Sequence, residues 1–127
     1  MSDWTADQLA AFTDGDDLHV SPFREDGVTP GTPTWIWSVV VGGALYVRAY
    51  NGTGSRWFGA ARTQGAGAVT VGGTVYPATY GTAGPFPDAA ITAEYERKYA
   101  GSPYLHGIIG PRQVAATTRI TPREEQE

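Results

Sequence analysis

The stretch "TWIWSVVVGGALYVRAY", Thr34–Tyr50, decides the fold. Two runs rich in β-branched and aromatic residues flank Gly42-Gly43, and a two-residue glycine link between such runs marks a tight type I′ hairpin. With Val41 and Ala44 beside the turn, Val39 faces Tyr46, Trp37 faces Arg48 and Trp35 faces Tyr50. Alternation puts these six residues on one face and Ile36, Ser38, Val40, Leu45, Val47 and Ala49 on the other. The second set reads as core. The first sets an arginine among aromatic rings, where its guanidinium can stack on Trp37 for ~0.5–2 kcal/mol.

Working outward, "GAVTVGGTVYPATY" (Gly67–Tyr80) repeats the hairpin device at Gly72-Gly73. Upstream, Trp4–Thr13 reads as a helix: Thr5 caps it, Gln8 completes a capping box, and Trp4 with Leu9 forms a hydrophobic staple. A short strand over Asp17–Phe23 and the polar turn "REDGVTPGTP" (Arg24–Pro33) follow, the turn being the expected mobile loop and a candidate cover for a pocket. Between the hairpins, Trp57, Ala60, Ala61 and Gln64 share one side of a short helix capped by Ser55. "PDAAITAEYERKYAG" (Pro87–Gly101) is a second clear helix, with Asp88 capping, Ile91, Tyr95 and Tyr99 on one stripe, and Gly101 ending it. "RQVAATTRIT" (Arg112–Thr121) reads as the last strand and "PREEQE" (Pro122–Glu127) as a solvated acidic tail. The expected fold class is α+β: a small antiparallel barrel of about six strands with two to three short helices. It forms a single domain over residues 1–121, with the tail at 122–127.

A chain of 127 residues can bury one ordinary core. No apolar run is long enough for a membrane span, and the N-terminus lacks the basic and apolar regions of a signal peptide. Without cysteine there is no disulfide framework and no thiolate zinc site. A cytoplasmic protein is expected, with no membrane partner. A net charge of −4 argues against a nucleic-acid partner. Its distribution is more telling. Between Gly27 and Pro87 there is no Asp or Glu, but there are Arg48, Arg56 and Arg62. A locally cationic segment in an acidic chain suits a small anionic ligand.

Asn51-Gly-Thr-Gly-Ser55-Arg56 lies between a strand end and a helix start. Glycines permit left-handed turns that converge backbone N–H groups on an anion, and the helix dipole assists. Arg48 and Arg56 would add charge and bidentate hydrogen bonds. The same residues also read as an ordinary glycine-rich loop with a serine cap. The segment is neither a P-loop nor a Rossmann fingerprint. Trp35, Trp37, Tyr46, Tyr50 and Trp57 suit the floor of a pocket for a planar ligand, and equally a barrel core or a dimer face. Tyr95 and Tyr99 read either as cavity lining or as helix packing. His19 and His106 have no acid at metal-ligand spacing, so no metal is expected. Tyr104 and His106, sharing "GSPYLHGIIGPR", are the candidate proton donors. No Ser–base–orienter set is visible.

The run Thr32–Tyr80 resembles the central half of the flavin- and deazaflavin-binding split β-barrels, which include the pyridoxamine-phosphate-oxidase-like proteins and the deazaflavin-dependent nitroreductases. The elements that carry the resemblance are Trp37–Val41, Leu45–Tyr50, the loop Asn51–Arg56, the helix Trp57–Arg62 and Val69–Tyr80. The whole chain, including "YERKY" and "TTRITP", is also similar to a bacterial domain family of unknown function, DUF2255. The resemblance implies a split barrel and a homodimer with FMN or a deazaflavin in a groove between subunits. Trp37, Arg48, Asn51, Ser55, Arg56 and Trp57 would bind that cofactor. Tyr95, Tyr99 and Tyr104 fall in the segment that lines the substrate pocket in the deazaflavin enzymes, and Trp35, Tyr46 and Tyr50 of the aromatic face would complete that pocket. It further implies an oxidoreductase acting on a small organic molecule, with Tyr104 or His106 donating a proton. The loop departs from the pattern in carrying no lysine. The alternative is a cofactor-free small-molecule-binding protein, or a cyclase/isomerase-type enzyme, on the same barrel. Replacing both Arg48 and Arg56 by alanine is expected to abolish cofactor binding and leave the fold intact.

Overall fold

Both glycine pairs turn the chain as a type I′ link requires, with φ of 58° and 78° at Gly42 and Gly43 and 56° and 85° at Gly72 and Gly73. The computed structural model describes residues 4–15 and 17–123. Its elements are α1 (Ala6–Asp14), β1 (Leu18–Pro22), β2 (Thr34–Trp35), β3 (Ser38–Val41), β4 (Ala44–Arg48), a 3₁₀ turn (Gly52–Gly54), α2 (Arg56–Gln64), β5 (Ala66–Val71), β6 (Thr74–Gly81), α3 (Asp88–Lys98), α4 (Leu105–Ile108), α5 (Pro111–Val114) and β7 (Thr117–Pro122). The strands form one antiparallel sheet in the order β2-β1-β5-β6-β7-β4-β3, curled into a half-barrel. The fold is therefore a small α+β split-barrel-like domain.

The hairpin register holds inside β3–β4, where Val39 pairs with Tyr46 and Val41 with Ala44. It does not extend to the tryptophans. The single expected strand breaks after Trp35, and β2 pairs with β1 instead, placing Trp35 opposite His19. This raises the strand count to seven and separates Trp35 from Tyr50. The expected last strand also shortens. Arg112, Gln113 and Val114 lie in α5, where Pro111 takes the first helical turn, and β7 starts only at Thr117. With α4 the described residues hold five α-helices rather than two or three.

Local signals act largely as read. Thr5 and Gln8 form the reciprocal capping box on α1. Ser55 stands at the N-cap of α2, but its hydroxyl makes no capping bond. The N-cap of α3 is Pro87, not Asp88. The turn after β1 is pinned by Asp26, whose carboxylate accepts from the amides of Val28 and Thr29 and from the Thr29 hydroxyl. The tail assignment also shifts: Pro122 pairs with Ala78 in the sheet, and the Arg123 amide donates to Pro77 O. Residues 124–127 lie outside the described residues.

Two cores result. Inside the curl, Leu18, Val20, Leu45, Val47, Val69, Ala78 and Ile120 pack with Trp4 and Phe12 of the α1 segment. The Trp4 indole N–H donates to Ile120 O at 2.8 Å, tying the first described residue to β7. On the opposite face, Val39 and Tyr46 pack under Ile91, Tyr95 and Tyr99 of the α3 stripe and under Ile108. Both faces of β3–β4 are therefore covered. This is why the five residues of β4 are all buried.

Candidate ligand-binding cavity

A cavity of about 650 Å³ opens where β2, the end of β4, the start of α2 and α4 meet, within the size range of small-molecule sites, ~300–1,000 Å³. Its lining is Thr34, Trp35, Ile36, Trp37, Arg48, Tyr50, Asn51, Ser55, Arg56, Trp57, Tyr104 and Ile108. The break between β2 and β3 shapes it, because it frees Trp35 and Trp37 from the hairpin and turns both toward α2. Trp37 is held by a stacked contact with Tyr99, centroids 4.0 Å apart and planes 8° off parallel. Trp57 is edge-on to Phe58 and packs against the inner core. Of the large apolar and aromatic residues around the cavity, Trp35 (52 %), Tyr50 (47 %) and Tyr104 (63 %) are exposed.

All six residues expected to bind a cofactor, Trp37, Arg48, Asn51, Ser55, Arg56 and Trp57, share this cavity, together with Trp35, Tyr50 and Tyr104. Tyr46, Tyr95 and Tyr99 do not reach it. They are buried between α3 and the sheet, because the face that looked open from the hairpin alone is the face α3 covers. The hydroxyl of Tyr95 donates to Trp37 O, and that of Tyr99 takes the Ser38 amide, so both are packing residues. Burial, partly offset by Arg48, raises the Tyr95 pKa far above the ordinary tyrosine value. His106 is exposed on α4 and does not line the cavity.

Arg48 has no exposed surface. Its Nε donates to Thr117 Oγ1 at 3.1 Å, Nη1 to Thr92 Oγ1 at 2.8 Å and Nη2 to the Asp88 carbonyl at 3.1 Å. The guanidinium lies 5.5 Å from the Tyr95 ring centroid, not on Trp37. Its partners among the described residues are thus two hydroxyls, a carbonyl and a π-face, with no carboxylate bonded to it. Burial lowers its pKa, with Tyr95 and Asp88 opposing; an arginine remains charged. A guanidinium has five N–H bonds, and three are used by these acceptors. The side chain joins β4 to β7 and α3, so its removal strains the fold as well as the cavity, contrary to the expectation that the double arginine variant leaves the fold intact.

The loop is arranged differently from the expected anion nest. The Gly52 amide donates to Ala49 O and the Ser55 amide to Gly52 O, so both close turns within the loop. The first turn of α2 offers further donors. The Gly59 amide makes the first bond back, to Ser55 O, and the amides of Arg56, Trp57 and Phe58 precede it without a capping hydroxyl. Two residues that the sequence reading missed position this loop: Gln113 Nε2 donates to Tyr50 O at 2.6 Å, and Arg112 Nη2 to Asn51 O at 3.0 Å. Pro111 at the start of α5 was the available signal for them.

No carboxylate among the described residues lines the cavity. Among the described residues there is no group of His, Cys, Asp or Glu able to hold a metal ion, and no helix is long and apolar enough to cross a membrane. The family model for DUF2255, an uncharacterized protein conserved in bacteria, matches residues 8–120. The chain belongs to the DUF2255 family. The match spans every lining residue of the cavity, from Thr34 to Ile108. No curated protein and no solved structure matches this DUF2255 chain.

Proposed function

We propose that this DUF2255 protein binds a flat aromatic ligand with an anionic arm, a flavin such as FMN or a deazaflavin, and acts as an oxidoreductase-like protein on a small organic molecule. The observation that carries the reading is Arg48: a buried cation without a bonded carboxylate, in the wall of an aromatic cavity. A buried charge costs several kcal/mol unless a counter-charge or a full set of hydrogen bonds compensates it, and a ligand oxyanion in the adjoining cavity would add to the partial compensation that Asp88 gives without a direct bond. Arg56 and the uncapped first turn of α2 add attraction of the same sign. Trp35, Trp37 and Trp57 offer ring surface for a planar body. The cofactor, once bound, would supply the hydride chemistry. This chain would bind and orient it, exclude water, and present the Tyr104 phenol as a proton donor. The proposal includes kinship with the flavin-binding split barrels, a cytoplasmic setting, and a homodimer whose second copy covers the exposed aromatic rim.

A second reading has its own support. The inward-turned loop amides and the absence of a lysine in Asn51–Arg56 favour a smaller anion than a cofactor phosphate. A cofactor-free protein binding an aromatic carboxylate, or a cyclase/isomerase-type enzyme, would use the same cavity. Titration with FMN and with a deazaflavin, followed by tryptophan fluorescence and flavin absorbance, separates the two. Saturable binding that Arg56→Ala weakens supports the cofactor reading. Absence of saturation by either compound, with saturation by an aromatic carboxylate, transfers the site to the second reading. Light scattering on the same samples tests the homodimer.

A further inference from the structure

Gly107 and Tyr50 meet at the α4 side of the cavity. A Cβ at Gly107 would lie 2.5 Å from the Tyr50 hydroxyl oxygen and 2.6 Å from its Cε1 and Cζ. Any side chain there must displace the phenol. The Tyr50 backbone cannot follow, because Gln113 Nε2 holds its carbonyl at 2.6 Å and the adjoining Asn51 carbonyl is held by Arg112. Beyond α4 the chain runs straight into α5 through its N-cap Gly110, where a Cβ would lie 2.9 Å from Gln113 Oε1. The ring is therefore pushed off α4, and because Tyr50 stands half-exposed at the mouth of the cavity it lines, its movement reshapes that mouth.

We infer that Gly107 is a specificity-determining position: by letting the Tyr50 ring rest against α4, it sets the width of the cavity and so the thickness of ligand admitted. The inference rests on the reading of this cavity as the ligand site, but not on the ligand being a flavin. It assigns Gly107 a positioning role through Tyr50, with no contact of its own to ligand.

The test uses the full chain and two aromatic anions of different bulk, anilinonaphthalene sulfonate and its dimeric form, beside FMN. Gly107→Ala is expected to weaken the smaller probe about tenfold, equivalent to ~1.4 kcal/mol. Tyr50→Ala is expected to strengthen the bulkier probe relative to the smaller. The Gly107→Ala/Tyr50→Ala double variant is expected to bind like Tyr50→Ala, since the displaced ring is gone. Thermal melting of each variant accompanies the titrations. Should Gly107→Ala fail to fold, the Tyr50→Ala single variant and the double variant carry the test. No saturable probe binding by the wild type, unchanged affinity in Gly107→Ala, or a double variant as impaired as Gly107→Ala overturns the inference. Probe binding that follows the expected pattern without FMN binding overturns the flavin reading alone.

Discussion

Replacing Arg48 by methionine removes the guanidinium while keeping most of the side-chain volume. Three hydrogen bonds are lost, to Thr117, Thr92 and the Asp88 carbonyl. Bonds from a charged donor contribute ~1.5–3 kcal/mol each, for a gross loss of ~5–9 kcal/mol. Against this, the variant no longer buries a cation without a bonded carboxylate, a penalty of several kcal/mol in the wild type. The difference is a net destabilisation of ~2–4 kcal/mol. Urea unfolding followed by tryptophan fluorescence reads this as a midpoint lower by ~1–2 M, given the usual slopes for small domains. A second arm isolates the charge. FMN at a hundredfold excess over its dissociation constant is expected to stabilise the wild type by about 2.7 kcal/mol, and to stabilise Arg48→Met far less. A variant with the wild-type midpoint would show that the tie between β4, β7 and α3 contributes nothing. An equal response to ligand would show that the charge is not part of the site.

Three further outcomes are expected. Thr118 is fully buried in β7 with no hydrogen-bond partner for Oγ1, so Thr118→Val should raise stability by ~1 kcal/mol, measured as a higher melting temperature. Gly67 lets β1 and β5 approach closely: a Cβ there would press on the Ser21 carbonyl oxygen and lie 2.6 Å from Pro22 Cα. Gly67→Ala should therefore cost about 3 kcal/mol in chemical denaturation. Burial raises the pKa of Tyr80 and Tyr95 above the ordinary value of 10.0. The unfolded chain then loses those protons first, so their contribution is complete below pH ~10 and fades as pH rises through the higher folded values. Stability against urea should fall steeply above pH ~10, and Tyr80→Phe should lessen the fall.

The hairpins were legible because a glycine pair between β-rich runs has one good backbone solution, and α1 because its capping box is local. The break at Ile36-Trp37 was not legible. Strand propensity runs unbroken from Thr34 to Val41, and only the competing partner β1 diverts Thr34 and Trp35. Within the site, Arg48 and the loop it precedes stood out by charge and glycine content, and Trp35 and Trp37 by their aromaticity. The tyrosines split because a two-residue period says which face a side chain is on, not which face a later helix will cover. Tyr46 therefore went to the core beneath Tyr95 and Tyr99. Gly107 and Gln113 carried no signal of their own. Their roles come from four-residue helices too short to show periodicity.

The position of β7 has a consequence for synthesis. It lies between β6 and β4, and so joins the half of the sheet containing β2, β1, β5 and β6 to the half containing β4 and β3. It is also the last of these seven strands to leave the ribosome. Until it emerges, the nascent chain holds two unconnected sheet fragments with bare edges, and Arg48 has no Thr117 to meet. Such fragments are the aggregation-exposed species of a high-contact-order fold. A truncated translation product would thus lack the central seam of the sheet rather than a dispensable rim.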